Sequence, residues 1–192
     1  MAISSADPLW ADLINSDWRD YRGSGAREDH IFNEKWLASF LARAGWGGGL
    51  PARSERKPLL GLRALLRRMV DALIARKSPK AADLKAFNDV LAASALVSRL
   101  EHRGDKWLLV QASSASGIQR TISAVAHSFA SMMAEGDPNR IKRCANPDCG
   151  WVIYDASHNR TRRWCDVREC GNLVKVRQFR ARRRELGVAG KP

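Results

Sequence analysis

The chain has 192 residues, of which 45% are hydrophobic, and a formal net charge of +13 at pH 7. This is the size of one domain, or of a core-bearing domain with a small appendage, and the apolar content excludes general disorder. No stretch approaches the roughly 18 to 20 consecutive apolar residues that cross a bilayer. No basic start followed by an apolar run marks a signal peptide, so a cytoplasmic protein without a membrane partner is expected. Such a basic chain is drawn to polyanions, nucleic acid before an anionic lipid surface.

In chain order, residues 8–22 (PLWADLINSDWRDYR) begin apolar and turn polar at Asn15-Ser16-Asp17, which predicts a short helix or strand ending in a turn. After a loop, Trp36, Leu37, Phe40, Leu41 and Ala44 recur at helical spacing, with Gly45 as a stop. GGGLPARSERKP is a loop. From Leu59 to Lys77 a stripe of Leu62, Leu66, Met69 and Leu73 predicts a helix, broken by Ser78-Pro79. A second helix is expected over Ala81 to Leu100, carried by Leu84, Phe87, Leu91 and Ala95. A turn at Gly104-Asp105 and one strand, Trp107 to Val110, follow. The helix over Ser116 to Ala134 repeats Ile118, Ile122, Val125, Phe129 and Met132, a stripe that suits a core or a dimer interface. The expected fold is therefore mainly α: a helical domain over 1–136 with one or two short strands, then a small second part over 137–192.

That second part holds all four cysteines, spaced Cys144-x4-Cys149, fifteen residues, Cys165-x4-Cys170. Two close pairs of thiols suit tetrahedral Zn²⁺, each pair supplying two thiolates from one tight turn. With four Cys ligands no position remains for water, so the zinc is structural. Asn146-Pro147-Asp148 favours a reversal and Gly150 suits a knuckle. WVIYD reads as a strand, and LVKVRQFRARRREL as a helix beginning after the fourth ligand. Knuckle, hairpin and helix make a treble-clef-like finger. Leu173, Val176 and Phe179 form a narrow apolar side expected to pack on the knuckle.

Charge is concentrated with the cysteines. Residues 141–192 contain 13 Lys+Arg against 5 Asp+Glu, a difference of +8, whereas residues 1–140 contain 20 against 15, a difference of +5. The candidate nucleic-acid contacts are Arg160, Arg162 and Arg163 in the insert and Lys175, Arg177, Arg180, Arg182, Arg183 and Arg184 on the helix. Such a surface neutralises phosphates, and one or two arginines could read guanine from a major groove.

RCANPDCGWVIYDASHNRTRRWCDVRECGN…KVRQFRARRR closely resembles the CGNR zinc finger of bacterial transcription regulators, through RCxxPxCGW, Asp-x-Ser before Arg-Arg-Trp-Cys, CGN, and the KVR…RARR tail. ADLINS, AFNDVLA and GDKWLLV resemble the ABATE domain that precedes this finger in stress-induced regulators. The resemblance implies a sensing or assembly domain in front and a DNA-binding finger behind. One departure is Leu173, which stands where the motif that names the finger has arginine.

The expected function is thus a zinc-stabilised DNA-binding regulator whose helical domain receives a signal, from a small-molecule effector or from homodimerisation. Asn15, Trp18 and Arg19 are candidate pocket residues, against the competing reading of a capped, satisfied turn. The alternative is an RNA- or ribosome-associated module, with Trp151, Tyr154 and Trp164 as stacking aromatics. No HExxH, P-loop or nucleophile elbow occurs, and the four histidines are scattered, so no enzyme is expected.

Overall fold

A computed structural model describes residues 7–93, 96–113 and 115–185. The ends of the two expected domains (1–6 and 186–192) and residues 94–95 of the second expected helix lie outside the described residues. The order is α1 (Leu9–Asn15), β1 (Asp17–Arg19), β2 (Arg27–Asp29), α2 (Glu34–Arg43), α3 (Lys57–Ile74), α4 (Ala81–Ala92), β3 (Leu96–Arg103), β4 (Lys106–Ser113), α5 (Gly117–Glu135), β5 (Ile141–Arg143), β6 (Val152–Tyr154) and α6 (Asn172–Glu185). Strands pair only as antiparallel couples, β1 with β2, β3 with β4 and β5 with β6. The chain is mainly helical.

The helical stripes build one core. Trp10, Leu13 and Ile14 of α1 lie at its centre, against Leu37 and Phe40 of α2, Leu66 and Val70 of α3, and Val125 and Phe129 of α5. Trp10 and Phe87 each meet Phe129 edge-on, at 5.6 and 5.3 Å between ring centroids. The Asn33 side chain caps α2 by accepting from the Trp36 N–H at 3.1 Å. Because α5 spends its apolar stripe in this core, it does not offer that stripe as a dimer interface.

The second expected helix is shorter than its periodicity suggested. It stops at Ala92, and Leu96–Arg103 turns back across Gly104-Asp105 to pair with Lys106–Ser113. Leu91 and Ala95 continue the helical spacing, but LVSRLEHR finds a strand partner beyond the turn, and that pairing wins. The single expected strand is part of one arm of a hairpin whose two strands have eight residues each.

The C-terminal part is not a loose appendage. Ile141 of β5 and Val152 of β6 join the same core as the N-terminal helices. β5 lies along α3 and β6 along α1, so the finger rests on the helical part through its own hairpin.

Candidate metal centre and basic surface

The first cysteine pair sits in the turn between β5 and β6. The Cys144 N–H donates to the Trp151 carbonyl at 2.8 Å, and the Cys149 N–H to the Asn146 carbonyl at 3.1 Å. Gly150 closes the knuckle with φ +70°, a left-handed conformation that a side chain would disfavour. The knuckle is thus the hairpin's own turn, and the insert that follows β6 carries no further strand. Of the second pair, Cys165 precedes and Cys170 lies within a π-helical turn, Val167–Gly171, capped by the Asp166 carboxylate, which accepts from the Arg168 and Glu169 N–H groups. Here a Cβ at Gly171 would lie 3.2 Å from the Trp164 ring, so glycine permits the close approach. α6 starts directly after it.

These two turns bring all four Sγ atoms within 4.8 Å of one another. Cys165 lies 3.6 Å from Cys149 and 3.5 Å from Cys170, sulfur to sulfur. Tetrahedral zinc with Zn–S bonds of about 2.3 Å requires sulfurs roughly 3.8 Å apart, so the set fits the ion. Charge leads to the same ion. As bare thiols, S–H donation from Cys149 holds Cys144 well below the ordinary thiol range, while Cys144 and burial push Cys149 and Cys165 well above it. Four thiolates can coexist here only around a cation. Asn146, fully buried, braces the centre: its Nδ2 donates to the Tyr21 carbonyl at 2.8 Å and faces Cys170 Sγ at 3.5 Å.

Tyr21, Trp151, Trp164 and Leu173 pack around the cysteines. Leu173 therefore braces the finger by apolar contact. Val176 and Phe179 do not join it; they are exposed, because past its first turn the apolar side of α6 runs beyond the small knuckle. The aromatics considered for stacking are also engaged: Trp151 and Trp164 by the zinc cluster, and the Tyr154 hydroxyl by the Asp137 N–H at 3.2 Å.

The insert is organised by Asp155, which is fully buried. One carboxylate oxygen accepts from Lys142 Nζ at 2.7 Å and the Arg162 N–H at 2.9 Å; the other accepts from the Ser157 N–H and hydroxyl. Burial opposes ionisation of Asp155, but these donors more than offset it and hold the carboxyl well below the usual carboxylate range. This explains the Asp-x-Ser signature, which belongs to the scaffold.

The expected nucleic-acid residues divide into two groups. Arg162 faces inward: its guanidinium pairs with buried Asp7 at 3.1 Å and donates to the carbonyls of Trp164 and Cys165 at 3.2 and 3.0 Å. Arg177 clamps Asp148 and the Arg22 carbonyl, both at 2.6 Å. Arg160 pairs with Asp137 at 3.1 Å while remaining exposed. Arg163 lies over the Trp164 ring. Lys175, Arg180, Arg182, Arg183 and Arg184 are exposed on α6 and make no ion pair among the described residues. Arg168, exposed in the turn before the fourth cysteine, and Arg22, beside Arg177, border the same helix. Arg22 lies far away in sequence, so only the fold reveals it.

Asn15, Trp18 and Arg19 do not form a pocket. Asn15 is buried, and both ends of its amide bond the backbone of Val152 at 2.8 Å. Trp18 stacks on His30, and Arg19 is exposed on β1. Two cavities of about 430 Å³ lie elsewhere, one lined by Trp46, Ser116 and Arg120, the other between α3, α4 and α5 around Gly61, Leu65 and Val90. No described helix is long and apolar enough to cross a membrane.

Comparison with known proteins places this geometry. Residues 140–183 match the CGNR zinc finger. No curated protein matches the chain. Residues 7–136, more than half of the chain, match the ABATE family, described as "Putative stress-induced transcription regulator"; the chain belongs to this family and carries a CGNR zinc finger behind its helical part.

Proposed function

We propose that this chain regulates transcription by binding DNA through its zinc finger and α6, with the helical part, divided from the finger near residues 136 and 137, receiving a signal or mediating assembly. The observation that carries the reading is α6: four arginines and a lysine, exposed and without acidic partners among the described residues, on a helix held to the finger by its first turn and by the Arg177 clamp. Ion pairs within a protein satisfy a basic surface; these cations await an external polyanion. Zinc, when bound, holds the two cysteine turns together and so fixes the direction in which α6 leaves the finger.

DNA is favoured over RNA because the aromatics near the zinc are packed and do not offer stacking faces. The test is a salt series of zinc-loaded protein on random duplex DNA and duplex RNA, beside an Arg180→Ala, Arg183→Ala double variant. The expected result is tighter DNA binding, a log–log slope corresponding to roughly four to six phosphates, and a slope reduced by about two in the variant. Equal, weak binding to both polymers with no effect of the substitutions would sink the proposal.

A further inference from the structure

The hairpin of β3 and β4 stands apart from the core. In its register Leu100 lies opposite Leu109 and His102 opposite Trp107, so these four residues share one face. On that face Leu100 is 62%, Trp107 68% and Leu109 71% exposed, and His102 stacks against Trp107 at 4.6 Å between centroids. Three large apolar side chains side by side are not scattered surface residues. They are one patch on the order of 400 Å². An isolated two-stranded hairpin is at best marginally stable in water unless a face is covered.

We propose that this face is covered by a second copy of the chain, in a two-fold dimer formed hairpin to hairpin. Three observations select that occupant. The hairpin needs cover whenever the chain is folded, and another copy is the partner always present. Charge points the same way: residues 96–113 carry Arg99, Arg103 and Lys106 against Glu101 and Asp105, one charge from neutrality in a chain of +13. Two copies therefore meet here without the repulsion that the rest of their surface would impose. Area is the third: two such patches, with the flanking strand backbone, approach the roughly 1,000 Å² of a specific interface. A two-fold axis sets the patch against itself, so Trp107 of one copy fills the space beside the partner's leucines. The inference does not rest on DNA binding, although a dimer would carry two copies of α6.

The experiment is the solution mass of the zinc-loaded 192-residue chain by light scattering across roughly 5 to 100 µM. The expected wild-type mass is twice 21.4 kDa. A Trp107→Ser, Leu109→Ser double variant is expected to be monomeric, with self-association weakened roughly 100-fold or more, and to keep its zinc and its far-ultraviolet circular dichroism. A Leu84→Ser variant, which removes an exposed leucine of α4 and leaves the hairpin face unchanged, is expected to remain dimeric. If the double variant loses zinc, Leu100→Lys, which leaves the tryptophan in place, decides the matter through its mass. A wild-type monomer overturns the proposal and leaves the face to a different protein; so does a zinc-loaded hairpin variant that stays dimeric.

Discussion

Asn15 and Val152 exchange two hydrogen bonds across 137 positions of sequence: Asn15 Nδ2 donates to the Val152 carbonyl, and the Val152 N–H donates to Asn15 Oδ1, each at 2.8 Å. The last residue of α1 thus completes the edge of the strand that follows the zinc knuckle, as a neighbouring strand would. Both residues are buried, so neither backbone group can turn to water instead. Asn15→Leu keeps the branched heavy-atom shape, with larger methyl groups, and removes both partners. It is expected to cost about 2–4 kcal/mol, seen as a fall in melting temperature of roughly 5 to 15 °C. Asn15→Asp retains one bond but sets an anion against the Val152 carbonyl, and should be no better. A variant that melts like the wild type would show that the finger does not depend on α1.

Asp155 makes a second prediction. Four donors converge on its carboxylate, and an amide in its place would turn an N–H₂ group toward at least one of them. Asp155→Asn is expected to lower stability by about 2–3 kcal/mol at pH 7. It should also loosen the insert, so that zinc is lost to a chelator several-fold faster, as read with a colorimetric zinc indicator. Ala156→Ser, at the exposed neighbouring position, should change neither quantity.

The zinc centre was legible in the sequence because its chemistry is local: each cysteine pair occupies one turn, and ligand type and spacing together specify the ion. The helical stripes were legible because their periodicity is also local. What escaped depends on distant partners. Leu96 to Leu100 reads as the end of a helix since its strand partner lies beyond a turn whose pairing no helical window samples. Arg162 read as a phosphate contact because a tandem arginine looks alike on a surface or against a buried carboxylate. Its partner Asp7 is 155 residues away. Asn15 was singled out, but its role as a strand edge for Val152 required the fold. Val176 and Phe179 were expected on the knuckle because helical spacing indicates a face, not how far a small partner extends along it.

The Asp12 carboxyl, on α1, predicts a pH dependence. It is buried against Arg43, which also donates to the Asp7 carbonyl at 2.6 Å. Burial pushes Asp12 up to about 7, against the attraction of Arg43 and with the neighbouring Asp7 charge adding to the rise. An unfolded Asp titrates near 3.9, so between about pH 4 and 7 the folded chain binds the extra proton. The contribution is fully present below pH 4 and is lost as pH rises through 7. From pH 5.5 to 8 this amounts to about 2 kcal/mol of lost stability. The test compares wild type with Asp12→Asn, which keeps an acceptor for Arg43 and cannot titrate; zinc binding changes with pH in both and cancels. The melting-temperature difference, wild type minus variant, should become more negative with pH. A constant difference would mean that Asp12 is ionised throughout.

Arg162 and Arg180 are both arginines of the finger, and the structure gives them opposite expected behaviour. Arg162 neutralises Asp7, whose side chain is 3% exposed, and holds the backbone on either side of Cys165's peptide. Removing it leaves a buried carboxylate without its ion pair, a cost of about 3–5 kcal/mol. Arg162→Ala should therefore lower the melting temperature by roughly 10 °C or more. In whatever fraction remains folded, the salt slope of DNA binding should be unchanged. Arg180 is exposed on the part of α6 that leaves the knuckle, and has no acidic partner among the described residues. Arg180→Ala should leave melting within about a degree and reduce the salt slope by about one. The two readouts must separate, stability following Arg162 and salt dependence following Arg180. If Arg162→Ala instead flattens the salt slope at full stability, the inward ion pair with Asp7 is not maintained in solution and Arg162 belongs with the phosphate contacts.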